Sequence, residues 1–126
     1  MKLLLVCLGG AIGSGARYLV ALWAASALGI TFPFGTLLVN LAGSLLLGVL
    51  MHVGTSTELL SSEMRLMLTT GVMGGFTTYS TFNYETTSYF REGAWALGAL
   101  NIAVTVFGCL LAGFAGLALA RTIFGR

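Results

Sequence analysis

Residues 71–85 read GVMGGFTTYSTFNYE. Set between long apolar runs, this is an unusual interior for a helix that faces lipid. Gly74 and Gly75 form helices poorly, and Thr77 and Thr78 are β-branched. Four hydroxyl side chains, Thr77, Thr78, Ser80 and Thr81, crowd five positions. The composition predicts a helix that breaks near 74–78. Non-helical backbone at membrane depth persists only where it is buried in protein or faces a water-filled cavity. Two outcomes fit: carbonyls freed into a cation site, as in unwound transporter helices, or a kink whose backbone the neighbouring threonines satisfy.

Beyond this point Tyr79, Phe82 and Glu85 follow at i, i+3 and i+6, read as one stripe down a helix face. Such a stripe serves packing, or its electropositive ring edges line a path for a small anion. A carboxylate such as Glu85 inside a span is costly and faces the bundle or a cavity, unless it reaches water at the helix end. Upstream, Thr36, Asn40 and Ser44 are spaced by four and share a helix face. The Asn40 amide offers N–H donors to a dehydrated anion or, equally, an interhelical hydrogen bond. Arg17 lies about 22 Å along its helix from Lys2, near the opposite interface. There it holds anions in a vestibule or snorkels to lipid headgroups.

Composition sets the solvent. The chain has 126 residues, 57% of them hydrophobic and 8% charged, with a mean hydropathy of +0.96. Soluble domains carry about 25% charged residues, so too little polar surface is available here to coat a globule in water. Four stretches are long and apolar enough to cross a bilayer, at about 3–28, 34–53, 63–90 and 94–122. They predict an all-α membrane protein, with residues 1–126 forming a single four-helix transmembrane domain. The runs lack the ten-residue alternation of a β-barrel. The start, MKLLLVCLGGA, is apolar like a leader, but the run continues to Leu28, so it is read as a retained helix.

Small residues recur four apart, at Gly9 and Gly13, Ser44 and Gly48, Gly71 and Gly75, and Gly108, Ala112 and Gly116. This spacing predicts close helix packing, within one chain or between copies. Lys2, Arg65, Arg121 and Arg126 are placed on the side of the termini, with Arg17 and Arg91 opposite. So weak a bias permits insertion in both orientations and pairing of antiparallel copies.

Several classes are excluded. The net charge of +2 is too small for a nucleic-acid footprint. Cys7 and Cys109 lie in apolar runs without a CxxC or Cys/His cluster, and read as buried small hydrophobes. There is no aspartate and no GxxxxGK[ST] motif. His52 is read as a solvated residue near an interface, and no catalytic set can be assembled around it, so the chain is not read as an enzyme.

With these residues in view, a family likeness is specific. GGFTTYSTFNYE, residues 74–85, resembles the GG-x-[ST]-T-F-S-T-F-x-x-E signature of the Fluc, or CrcB, fluoride channels. Residues 35–40, GTLLVN, are similar to the family's GTLxxN motif, and Gly9, Gly10, Gly13 and Arg17 to its GGxxGxxxR pattern. The order matches and the resemblance covers essentially the whole chain.

The resemblance implies a passive, fluoride-selective channel in the inner membrane that exports fluoride from the cytoplasm. It implies a dual-topology antiparallel homodimer with two pores. It also implies a structural sodium ion (Na+) at the dimer centre, bound by backbone carbonyls of Gly74 and Thr77. Asn40 would point into the pore, Tyr79 and Phe82 would form the aromatic box, and Ser80 would add a hydroxyl. Thr36 and Glu85 would line the polar path and Arg17 the vestibule. Two departures stand out: Tyr79 replaces the usual Phe, and the fourth span places Cys109 and Gly113 where a polar track is usual. The rival reading is a small dual-topology, proton-coupled multidrug-type exporter, which typically needs a carboxylate in the first span, where this chain has Arg17 and no acid.

Overall fold

The computed structural model describes residues 1–125; Arg126, counted above with the charges of the terminal side, lies outside them. All regular structure among the described residues is helical. Helix α1 spans Lys2–Leu28 and stops at Gly29, whose φ of 82° is open to glycine and strained for other residues. Pro33 follows and α2 begins at once, spanning Phe34–Ser56. Its end is closed by Thr57, whose N–H and hydroxyl both donate to the Val53 carbonyl, at 3.1 and 2.6 Å.

The next apolar stretch is not one uniform helix. A short α3, Ser62–Leu66, starts on a Ser61 cap that accepts from the Met64 N–H at 3.2 Å. The backbone then widens into a π-helical stretch, Met67–Met73, and tightens into α4, Gly74–Phe76. Thr77 and Thr78 are extended. Helix α5 spans Tyr79–Arg91, and after a turn through Gly93 the long α6 spans Trp95–Phe124.

Three helices, α1, α2 and α6, are long and apolar enough to cross a membrane. Their outer faces are apolar too: Leu3, Leu19, Phe107, Leu111 and Phe114 are all exposed. Lipid is the solvent such faces match. For the same reason Cys7, expected to be buried, is exposed on α1. In hydrocarbon a small apolar side chain gains nothing by turning inward.

The interior is correspondingly short of large apolar side chains. Among the described residues, Phe82 is the one large aromatic in a buried apolar set otherwise made of Ala24, Val39, Val53 and Ala120. Close backbone approach takes the place of a thick core. Helix α1 packs on the π-helical stretch and α4, while α2 packs on α6. A Cβ on Gly9 would lie 2.6 Å from the Met67 carbonyl oxygen, and one on Gly75 would lie 2.5 Å from that of Gly10. Gly48 meets the Gly113 carbonyl at 2.5 Å in the same sense, and Gly116 is pressed against Leu45. The four-residue spacing of small residues thus serves contacts inside one chain.

His52 departs from its expectation. It is buried, and its Nε2 lies 2.7 Å from the Gly125 carbonyl oxygen, where an N–H donates. Placed near the end of α2, the ring meets the end of α6 and is shielded there. Arg65 is likewise engaged, donating from Nη1 to the Gly54 carbonyl at 2.8 Å.

Gly13 and Gly15 separate packing from composition. A Cβ at Gly13 would collide with the Val72 carbonyl and lie 2.8 Å from the Phe76 nitrogen, whereas one at Gly15 would meet nothing within 4 Å. Gly13→Ala is expected to destabilise the protein by about 1–3 kcal/mol. Gly15→Ala is expected to be neutral or better. Thermal melting of the detergent-purified variants checks the contrast.

Candidate functional site

The site is organised by one peptide group. In a continuous helix the Thr78 N–H would donate to the carbonyl of Gly74. It donates instead to Asn40 Oδ1 on α2, at 2.9 Å, and Asn40 Nδ2 returns a bond to the Thr78 carbonyl at 3.0 Å. Both residues are buried. The Thr78 hydroxyl accepts from the Thr81 N–H at 3.3 Å and so caps α5. In a continuous helix that N–H would have served the Thr77 carbonyl. The carbonyls of Gly74 and Thr77 therefore both lose the partner one turn ahead. The Thr77 hydroxyl points back, donating to the Met73 carbonyl at 2.9 Å.

Asn40 has two Nδ2 hydrogens, and the Thr78 carbonyl takes one. The amide borders a groove of about 490 Å³ between α2, the 73–82 region and α6. Gly74, Thr77, Tyr79, Phe82, Thr105 and Cys109 also line it. Tyr79 and Phe82 meet edge to face, with ring centroids 5.7 Å apart and planes at 61°. Phe82 is buried, whereas Tyr79 is 77% exposed. The groove thus sets a spare amide hydrogen beside two aromatic rings, whose edges are electropositive, a set suited to a small anion.

Thr36 and Glu85 lie elsewhere. The Thr36 hydroxyl donates to Glu85 Oε1 at 2.7 Å, while Oε2 is buried without a hydrogen-bond partner among the described residues. Both border a second depression of about 450 Å³ near the α1–α2 connection. Arg17 borders a third, of about 290 Å³, with Ser14, Thr36, Thr78 and Thr81. Thr36 is shared by the second and third, and Thr78 by the first and third. Ser80 is exposed, its hydroxyl 3.3 Å from that of Thr78.

The expected stripe of Tyr79, Phe82 and Glu85 therefore divides. At about 100° per residue, position i+6 stands about 120° away from position i, so Glu85 cannot stay with Tyr79. The buried line on α5 is instead Thr78, Phe82 and Thr86, spaced by four. Sequence reading also gave no role to Thr86, or to its contact with Asn101. Asn101 Nδ2 donates to Thr86 Oγ1 at 2.9 Å, across α5 and α6. The only available signal was an asparagine within an apolar run. No cluster of His, Cys, Asp and Glu that could hold a metal exists among the described residues.

Asn40→Ala would leave the Thr78 N–H unpaired in a buried setting and strip its carbonyl, which still accepts the first intrahelical bond of α5, of a second bond. The expected loss is about 3 kcal/mol of stability, set against little change for the exposed Asn83→Ala. Equal melting temperatures for the two variants would remove the structural role given to Asn40.

Comparisons with known proteins agree in direction. The family described as CrcB-like protein, Camphor Resistance (CrcB), matches residues 4–117. A protein of Anaeromyxobacter sp. (strain K), named fluoride-specific ion channel FluC, is 53% identical over 124 residues, covering 98% of each chain. Proteins of the same name from Sorangium cellulosum (strain So ce56) and Clostridium perfringens (strain 13 / Type A) are 52% and 46% identical. They cover 92% and 96% of this chain, and 91% and 94% of their own lengths. A multi-pass membrane protein by its helices, this chain belongs to the CrcB family.

Proposed function

We propose that this protein is a passive, fluoride-selective channel that exports fluoride from the cytoplasm across the inner membrane. The observation that carries the reading is the pairing of full-length relatives named for that activity with a groove that joins the Asn40 amide to the Phe82 ring. Hydrogen fluoride is a weak acid that crosses lipid uncharged and ionises in a near-neutral cytoplasm, where the anion is trapped. A membrane potential negative inside then drives fluoride out, at about 2.3 kcal/mol per charge for each 100 mV. No carboxylate lies in α1 to couple protons, which speaks against the exporter alternative.

The channel's task is to replace water around a small, strongly hydrated ion. The spare Asn40 hydrogen and the ring edges of Tyr79 and Phe82 are the donors in this reading, since the Thr77 and Thr105 hydroxyls already donate to Met73 and Asn101. Arg17 gathers anions at its depression, and Thr36 with Glu85 lines the polar approach. The stretch from about 63 to 90 acts as one discontinuous span, which makes the whole chain a four-span unit.

The groove is open toward Tyr79, and a second, antiparallel copy of the chain closes it in this proposal. The Gly74 and Thr77 carbonyls, with their helical partners diverted, are oxygen donors of the kind that suit sodium. Gly74 is exposed and Thr77 half-buried, so both lie within reach of a second copy. Bound there, sodium would pin the two subunits and offset the negative charge of a passing anion.

Two substitutions test the path, using reconstituted liposomes and a fluoride electrode. Asn40→Asp keeps an acceptor for the Thr78 N–H but removes the donor and adds negative charge, so fluoride efflux is expected to vanish. Phe82→Ile removes the ring edge and is expected to block as well. Parental efflux in either variant would take that residue out of the path, and vesicles sealed to fluoride with unaltered protein would overturn the proposal itself.

A further inference from the structure

Helix α5 is held on its buried face at two points one turn either side of Phe82. On the N-terminal side Asn40 grips Thr78. On the C-terminal side the Thr86 hydroxyl donates to the Phe82 carbonyl at 2.7 Å and accepts from Asn101 Nδ2 at 2.9 Å. Asn101 is 1% exposed. Its Oδ1 accepts from the Thr105 hydroxyl, one turn on along α6, at 3.4 Å. Thr105 lines the same groove as Phe82. A continuous chain of hydrogen bonds therefore runs from the groove wall on α6, through the helix interface, to the backbone that carries the ring.

Packing does not account for this chain. A threonine bonded back to its own helix is neutral or slightly destabilising, and tends to bend it. A buried amide in an apolar helix costs desolvation that a Leu–Val contact of similar volume would avoid. What the chain supplies is direction. Each donor polarises the next, and the Thr86 hydroxyl has its proton and a lone pair both committed, so its rotamer is fixed. The Phe82 carbonyl, and with it the turn bearing the ring, is held against α6.

We propose that Asn101 and Thr86 are positioning residues that set the depth and orientation of the Phe82 ring edge at the groove. They need not touch the ion. The inference rests on the conduction reading above, because ring orientation matters only if an anion passes it. A misplacement of a fraction of an ångström at such a group is enough to lose much of its effect.

The test is fluoride efflux from liposomes with the full-length protein and its Thr86→Ser and Thr86→Val variants. A double variant, Thr86→Val with Asn101→Leu, removes both partners of the interhelical bond if the single change fails to fold, and displaces only the Thr105 hydroxyl, which can turn back to the residue 101 backbone carbonyl. Thr86→Val and the double variant are expected to pass fluoride about tenfold more slowly than the parent. Thr86→Ser, which keeps the hydroxyl, is expected to stay within about twofold. Melting temperature and gel-filtration profile of the double variant should match the parent, which separates positioning from unfolding. Parental rates in Thr86→Val or the double variant overturn the inference alone, as does a Thr86→Ser rate as low as that of Thr86→Val. Parental vesicles that stay sealed overturn the conduction reading, and this inference with it.

Discussion

The paired hydrogen bonds between the Asn40 amide and the Thr78 peptide are the constraint on which the rest of the structure depends. In lipid the apolar effect does not sort helices into a core, since hydrocarbon surrounds every outer face. What lipid enforces is satisfaction of the backbone. Thr78 leaves the helical pattern, and its N–H, cut off from Gly74, needs a new partner, while its carbonyl accepts the first intrahelical bond of α5 and takes a second bond from Asn40. A side-chain amide answers both, with an acceptor oxygen and a donor nitrogen in a single plane. An aspartate or a leucine at position 40 could not.

That exchange has consequences on both sides of Thr78. Ahead of it, the carbonyls of Gly74 and Thr77 are released from helical pairing. Behind it, α5 restarts with its own cap and its own direction, which brings Phe82 to the groove and Glu85 to Thr36. The glycine contacts complement the arrangement. With Gly9, Gly13 and Gly75 allowing backbones to touch, α1 lies directly on the segment that leads into Thr77. That segment widens into a π-helical stretch and then tightens to a single α turn, so its position is set by packing and not by ladder hydrogen bonds alone. Wide turns of this kind recur at functional sites.

The sequence carries the local part of this chemistry and not the long-range part. Apolar length marks α1, α2 and α6 directly, and the spacing of Gly9 and Gly13 on α1 and of Gly71 and Gly75 on the 67–76 segment marks close packing though not which elements pair. The motif around residues 74–85 leads to the family. Other features depend on which helices become neighbours. Thr36 and Glu85 are 49 positions apart, and Asn101 and Thr86 are joined only because α5 folds back along α6. Read by itself, Asn101 is one polar residue in an apolar run. Tyr79 and Phe82 stay together, and Glu85 leaves their stripe for a simpler reason: steps of three, repeated, drift around a helix of 3.6 residues per turn. His52 and Cys7 exchanged their expected places because exposure in a membrane follows neighbours more than polarity.

Exposure also bears on how the groove could work. Phe82 is fixed from two sides, but Tyr79, Val106 and Leu110 line the same groove while remaining exposed. An anion at that depth needs a wall on every side, because lipid offers it no hydrogen bond and a large desolvation penalty. One chain therefore supplies a precise inner wall and leaves the outer wall to whatever covers Tyr79. A second copy in the opposite orientation would put protein in place of lipid on that side, which is the physical argument for the two-copy arrangement proposed above. In that arrangement the exposed Tyr79, where the usual residue is phenylalanine, would lie on the side the partner covers, and its ring would keep the edge-to-face contact with Phe82.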